Sequence, residues 1–142
     1  MADRPVVAVY PGTFDPMTAG HHNILQRSSI LFAHVVILIA ESAEKPHRTL
    51  LGDRLRQVRE SVAGLYSNVT VASCTGLTSD FVRRFESVVL VRGVRDRKDL
   101  GAEWPLAWMN ECLSNVPTVL LPATPQLRAV SSTRVRESRN RH

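Results

Sequence analysis

Apolar residues in this 142-residue chain fall in short, nearly unbroken runs, with polar residues gathered between them. Five runs are rich in β-branched residues: Val6 to Tyr10, Val35 to Ala40, Val69 to Ala72, Val88 to Val91 and Thr118 to Leu121. A strand covered on one face alternates apolar with polar side chains, so runs without that alternation predict strands buried on both faces. Between them, Ala19 to Phe32, Leu51 to Leu65, Thr78 to Phe85 and Asp99 to Leu113 carry the helical period. Strand then helix, repeated, builds right-handed crossovers. The expected fold is α/β: a five-stranded parallel sheet with helices on both faces, in one domain spanning residues 1–142. A chain of this length can bury a core without disulfide or metal staples.

In such sheets ligands bind beyond the carboxyl ends of the strands, where strand order reverses. Pro11-Gly12-Thr13-Phe14-Asp15-Pro16 follows the first run, Glu41 to Lys45 the second, Arg92-Gly93-Val94-Arg95 the fourth, and Pro122 to Val130 with Ser131-Ser132-Thr133 the fifth. Small, hydroxyl-bearing and cationic residues thus collect at one edge, and the net charge of +5 suits an anionic partner. Only 6% of residues are aromatic, too few for the stacking platforms of single-stranded nucleic acid binding, so a basic nucleic-acid binder rests on charge alone. No segment approaches the roughly 18 apolar residues of a membrane span. Cys74 and Cys112 are far apart, unlike metal-ligand or redox pairs. A cytoplasmic protein with free thiols, and with neither membrane nor nucleic-acid partner, is expected.

The first loop is the most informative. Gly12 would let the backbone approach a ligand, Thr13 offers a hydroxyl and an amide, and a helix begins at Thr18 or Ala19 with amides free for phosphate. Neither the dinucleotide fingerprint GxGxxG nor the P-loop is present. His21 and His22 are about 100° apart on a helix and cannot face one phosphate. His21 is in register with Ile24, Leu25, Ser28 and Leu31, the stripe expected to pack on the sheet, whereas His22 leads a mixed stripe. Ligating histidines favour i,i+4 spacing, which argues against a metal pair.

Thr18-Ala19-Gly20-His21 resembles the T/H-x-G-H signature of the nucleotidyltransferase superfamily. YPGTFDPMTAGH, Lys45, RGVR, Trp108-Met109-Asn110 and VSSTRVRE, in that order, together resemble the phosphopantetheine adenylyltransferase family of coenzyme A biosynthesis. The resemblance runs from about Val6 to Glu137. It implies a Rossmann-like sheet of nucleotidyltransferase type and transfer of the adenylyl group of ATP to the phosphate of 4′-phosphopantetheine, with magnesium bound through ATP. Carried over residue by residue, it implies catalytic roles for His21, Lys45 and Arg95. ATP would meet Thr13, the Phe14 amide, His21, Gly93, Val94, Arg95, Glu103, Leu127, Arg128, Ala129, Val130, Ser131, Ser132 and Thr133. The acceptor would meet Thr13, Lys45, Thr78 and Arg92. No protein ligand to a metal is implied, and a homohexamer is.

Two stretches depart from the family pattern. Asp99 to Glu103 reads DLGAE where the family carries DFEYE, and Gln126 to Val130 replaces an aromatic pair. Both lie around the binding walls. They leave room for two alternatives: a paralogue acting on another phosphorylated acceptor, and a catalytically weak nucleotide-binding regulator.

Overall fold

The structure is a computed structural model that describes residues 4–41 and 50–125. Nine elements alternate: β1 (Val7–Gly12), α1 (Ala19–Leu31), β2 (His34–Ala40), α2 (Leu51–Val62), β3 (Val69–Cys74), α3 (Thr78–Val82), β4 (Val88–Val94), α4 (Arg97–Ser114) and β5 (Thr118–Pro122). The strands form one sheet in the order β3-β2-β1-β4-β5, and every pairing is parallel. The α/β fold expected from the sequence is the one observed.

Successive side chains of the central strands go to opposite faces, which divides the core in two. Ala8, Tyr10, Val35, Ile37 and Ile39 join Ile24 and Leu25 of α1 and Val58 and Val62 of α2 in one cluster. Val9, Val36, Leu38 and Leu90 join Phe81 and Val82 of α3 and Val116 in the other. All of Val35 to Ile39 is buried, as the unbroken run requires.

Strand ends differ from the apolar runs. β1 continues through Pro11 and Gly12, and β4 through Arg92, Gly93 and Val94, because a parallel ladder needs only backbone groups to propagate. The difference creates the site. Chain order reverses between β1 and β4, and their pairing covers only Val7–Val9 against Val88–Leu90. β1 stays paired with β2 as far as Gly12 with Ile39, and β4 with β5 as far as Val94 with Pro122. The sheet therefore splits beyond Val9 and Leu90, and a crevice opens where ligands of such folds bind. α4 begins at Arg97, two residues before the apolar period, because the Asp96 side chain caps it by accepting from the Asp99 amide at 2.9 Å.

Candidate active site

The amino end of α1 stands over this crevice. Thr18 is its N-cap and forms a capping box with His21: the Thr18 hydroxyl accepts from the His21 amide at 3.3 Å, and the Thr18 amide donates to His21 Nδ1 at 3.0 Å. A nitrogen that accepts an N–H cannot carry a proton, so the neutral imidazole holds its proton on Nε2. The ring packs edge-on against Phe14, 5.0 Å between centroids, and Tyr10, 6.3 Å. Burial, then the positive charges of Arg92 and His22, push its pKa below the ordinary histidine value. His21 is thus a neutral, oriented N–H donor.

Two glycines set its position. A Cβ on Gly93 would lie 2.6 Å from Ile24 Cγ1, so α1 sits as close to β4 as it does because residue 93 has no side chain. A Cβ on Gly12 would lie 2.9 Å from the Phe14 ring. The missing side chain at Gly12 thus admits the Phe14 ring, a close approach within the protein that the sequence did not suggest.

Two clefts adjoin at the crevice. One, of about 540 Å³, is walled by Tyr10, Thr18, His21, Gly93, Val94 and Arg95, among others. The second, of about 770 Å³, is walled by Gly12, Thr13, Glu41, Leu77, Thr78 and Asn110, among others. His21, Arg92 and Glu103 belong to both. His22 lines neither.

Arg92 crosses the split in the sheet. Its Nε and one terminal nitrogen donate to the two carboxylate oxygens of Glu103 at 3.0 and 2.8 Å, and the other terminal nitrogen donates to the Pro11 carbonyl. Three of its five N–H groups are so engaged and two remain. Desolvation works against its charge, but the Glu103 hydrogen bonds and charge, helped by Tyr10, prevail and raise its pKa. Tyr10 is pushed up to about 12, chiefly by burial, with Arg92 opposing and Glu103 adding. Its phenol stays protonated. Arg95 is exposed and donates to Asp99 through both Nε, 3.1 Å, and its amide, 3.0 Å. Burial works upward on the Asp99 carboxyl, but these bonds and the nearby Lys98 hold it below the usual range.

The structure thus brings together Thr13, His21, Thr78, Arg92, Gly93, Val94, Arg95 and Glu103 from four elements and two loops. Phe14 lines neither cleft; its ring is buried behind His21 and its backbone is left-handed, with φ 49°. Leu100, Gly101 and Ala102, the altered stretch of α4, are exposed and also line neither. Lys45 and Leu127 to Thr133 lie outside the described residues. Sequence reasoning missed Tyr10, Asp99 and Arg54. Arg54 left a signal: it falls at i−4 and i−8 from Val58 and Val62, a charge in an apolar stripe.

The cytidylyltransferase-like family model matches residues 9–138. The chain is 42% identical over 133 residues to the phosphopantetheine adenylyltransferase of Janthinobacterium sp. (strain Marseille), covering 93% of this chain and 82% of the relative. It is 44% identical to that of Cupriavidus metallidurans, with 93% and 82% covered. Two solved structures share the fold: a lipopolysaccharide core biosynthesis protein from Thermoplasma volcanium (TM-score 0.60, 18% identity, 85% of this chain and 98% of that one) and Plasmodium falciparum nicotinic acid mononucleotide adenylyltransferase (TM-score 0.63, 15% identity, 86% and 66%). With the neutral histidine, the split sheet and the paired clefts all following from its residues, the chain belongs to the cytidylyltransferase-like family and, within it, to the phosphopantetheine adenylyltransferases.

Proposed function

We propose that this protein transfers the adenylyl group of ATP to the phosphate of 4′-phosphopantetheine, giving dephospho-coenzyme A and pyrophosphate. The observation that carries the reading is the shared wall. Two clefts meeting at one histidine and one arginine suit two anionic substrates whose reacting ends must touch.

On this reading the nucleotide takes the 540 Å³ cleft, against Gly93, Val94 and Arg95, with Leu127 to Thr133 completing its binding. The acceptor takes the 770 Å³ cleft, with Thr13, Thr78, Arg92 and Lys45 at its phosphate and arm. The substrates together carry about six negative charges, so positioning and cationic stabilisation are the main tasks. An acceptor phosphate oxygen attacks the α-phosphorus in line; a new P–O bond forms as the bond to the β-phosphate oxygen breaks, and pyrophosphate leaves with that electron pair. The nucleophile is already anionic, so no base is needed. His21 Nε2–H donates to an α/β-phosphate oxygen on which charge builds, Arg92 turns its two remaining N–H groups to the acceptor phosphate, and Arg95 supplies positive charge on the nucleotide side.

Among the described residues no cluster of three His, Cys, Asp or Glu could hold a metal ion, and Glu103 and Asp99 are each committed to an arginine. That donor set fits magnesium arriving on the oxygens of ATP and keeping most of its waters; when bound it supplies charge neutralisation on the phosphates. The reading includes a cytoplasmic homohexamer. In its support, α4 leaves Trp104 and Trp108 66% and 65% exposed beside Leu100, Met109 and Leu113, and no helix among the described residues is long and apolar enough to cross a membrane.

The test is incubation with ATP, magnesium and a panel of phosphorylated acceptors, following pyrophosphate. Release with 4′-phosphopantetheine and formation of dephospho-coenzyme A are expected. Release only with another acceptor would make the chain a paralogue of altered specificity, and nucleotide binding without release a regulator.

A further inference from the structure

Arg54, in the first turn of α2, is the bulkiest fully buried side chain among the described residues. A buried guanidinium is costly unless paired and hydrogen-bonded, and its partners here are specific. One terminal nitrogen donates to the Thr13 carbonyl at 3.0 Å, and the other is 3.6 Å from a carboxylate oxygen of Glu41 at the end of β2. Thr13 and Glu41 both wall the 770 Å³ cleft, whereas Arg54 lines neither cleft. Its action on a ligand is therefore indirect.

The Thr13 carbonyl is turned inward onto buried Arg54, while Thr13 itself is exposed in the wall of the larger cleft. Phe14 has a left-handed backbone, φ 49°, which a residue with a bulky side chain adopts only when its surroundings fix it. Its ring is held between Tyr10 and His21, 5.3 and 5.0 Å between centroids; Arg54 holds the peptide on its other side.

We propose that Arg54 is a positioning residue, which holds the Thr13 carbonyl and the Glu41 carboxylate and so fixes Thr13 in the wall of the larger cleft, where it meets the acceptor phosphate. The assignment rests on reading the larger cleft as the acceptor site. The test is calorimetric binding of 4′-phosphopantetheine and of pantetheine, which lacks the phosphate, to wild-type protein and to Arg54→Lys, with thermal unfolding alongside. Lysine keeps the charge and loses the planar fork that reaches two partners.

The expected result is an about tenfold rise in the Kd of 4′-phosphopantetheine, the worth of one charge-assisted hydrogen bond, with the Kd of pantetheine unchanged. Parallel weakening of both, or of neither, would overturn the proposal, since a merely structural defect does not distinguish the phosphate. If Arg54→Lys does not fold, Arg54→Met takes its place at 10 °C. Failure of both to unfold cooperatively assigns Arg54 to the fold alone and overturns the positioning role. Wild-type protein that binds 4′-phosphopantetheine no more tightly than pantetheine defeats the acceptor reading itself, and this assignment with it, whatever the variants do.

Discussion

Placing a methyl group on Gly93 tests whether the distance between α1 and β4 controls His21. The Cβ of Gly93→Ala would stand 2.6 Å from Ile24 Cγ1 and 3.0 Å from Cδ1, against an ordinary contact of about 3.5–4.0 Å. Ile24 is only 3% exposed, so its side chain has little room to swing and the helix must give by about 1 Å. His21 lies one turn back on the same helix and moves with it. Overpacking of this kind costs about 1–3 kcal/mol of stability, and a displacement of about 1 Å at a reacting group costs about a hundredfold in turnover. Removing the opposing atoms should reverse the second effect: in Gly93→Ala/Ile24→Ala the nearest atom left to the new methyl is Ile24 Cβ, at 3.7 Å, an ordinary contact. Ile24→Ala alone leaves a cavity worth about 2–5 kcal/mol. The double variant should be more stable than the sum of the singles by about 1–3 kcal/mol and recover most of the lost turnover. Urea unfolding and pyrophosphate release measure the two. Were Gly93→Ala to match wild type, or the double variant to remain inactive while folding well, helix spacing would not be what this glycine is for.

His21→Ala should lower turnover by about 10²–10³-fold, the loss of one aimed donor, with His22→Ala within about twofold; reversal of the two in the same assay would show that the wrong histidine had been assigned. The pH dependence has a definite sign. His21 has a lowered folded-state pKa, so as pH falls the unfolded chain takes up this proton first, near pH 6.5. The stabilisation is therefore intact above about pH 6.5 and is lost as pH drops through the lowered folded value. Urea midpoints of wild type and His21→Ala should converge on acidification, and a gap that stays constant or widens would contradict the neutral-imidazole assignment. Gly101 lies inside α4 with nothing within 4 Å of a Cβ, so Gly101→Ala should raise stability by about 0.5–1 kcal/mol, read from urea unfolding, with acceptor selectivity unchanged because residue 101 lines neither cleft.

The order of strands and helices was legible because each central strand is buried on both faces and must be apolar throughout. Where strands end was not: Pro11, Gly12, Arg92 and Gly93 have poor strand preferences and are held by a ladder whose partners come from elsewhere in the chain. That unreadable extension is what splits β1 from β4. His21 was legible from its place after a glycine-bearing loop, and the stripe below it is buried at Ile24, Leu25 and Ser28; Leu31, in the same register, is 60% exposed. The state of His21 was harder to read. Its proton is placed by the Thr18 amide, its ring by Phe14 and Tyr10, its height by Gly93, which is 72 positions away in the chain. Arg92 met Glu103 across 11 residues and Arg54 met Thr13 across 41, pairings no periodicity reports. A histidine in a recognisable motif is therefore only part of the site. What makes it a donor at a fixed point is the contact of α1 with β4, and a sequence that kept His21 but altered Gly93 would keep the motif and lose the geometry that gives it a function.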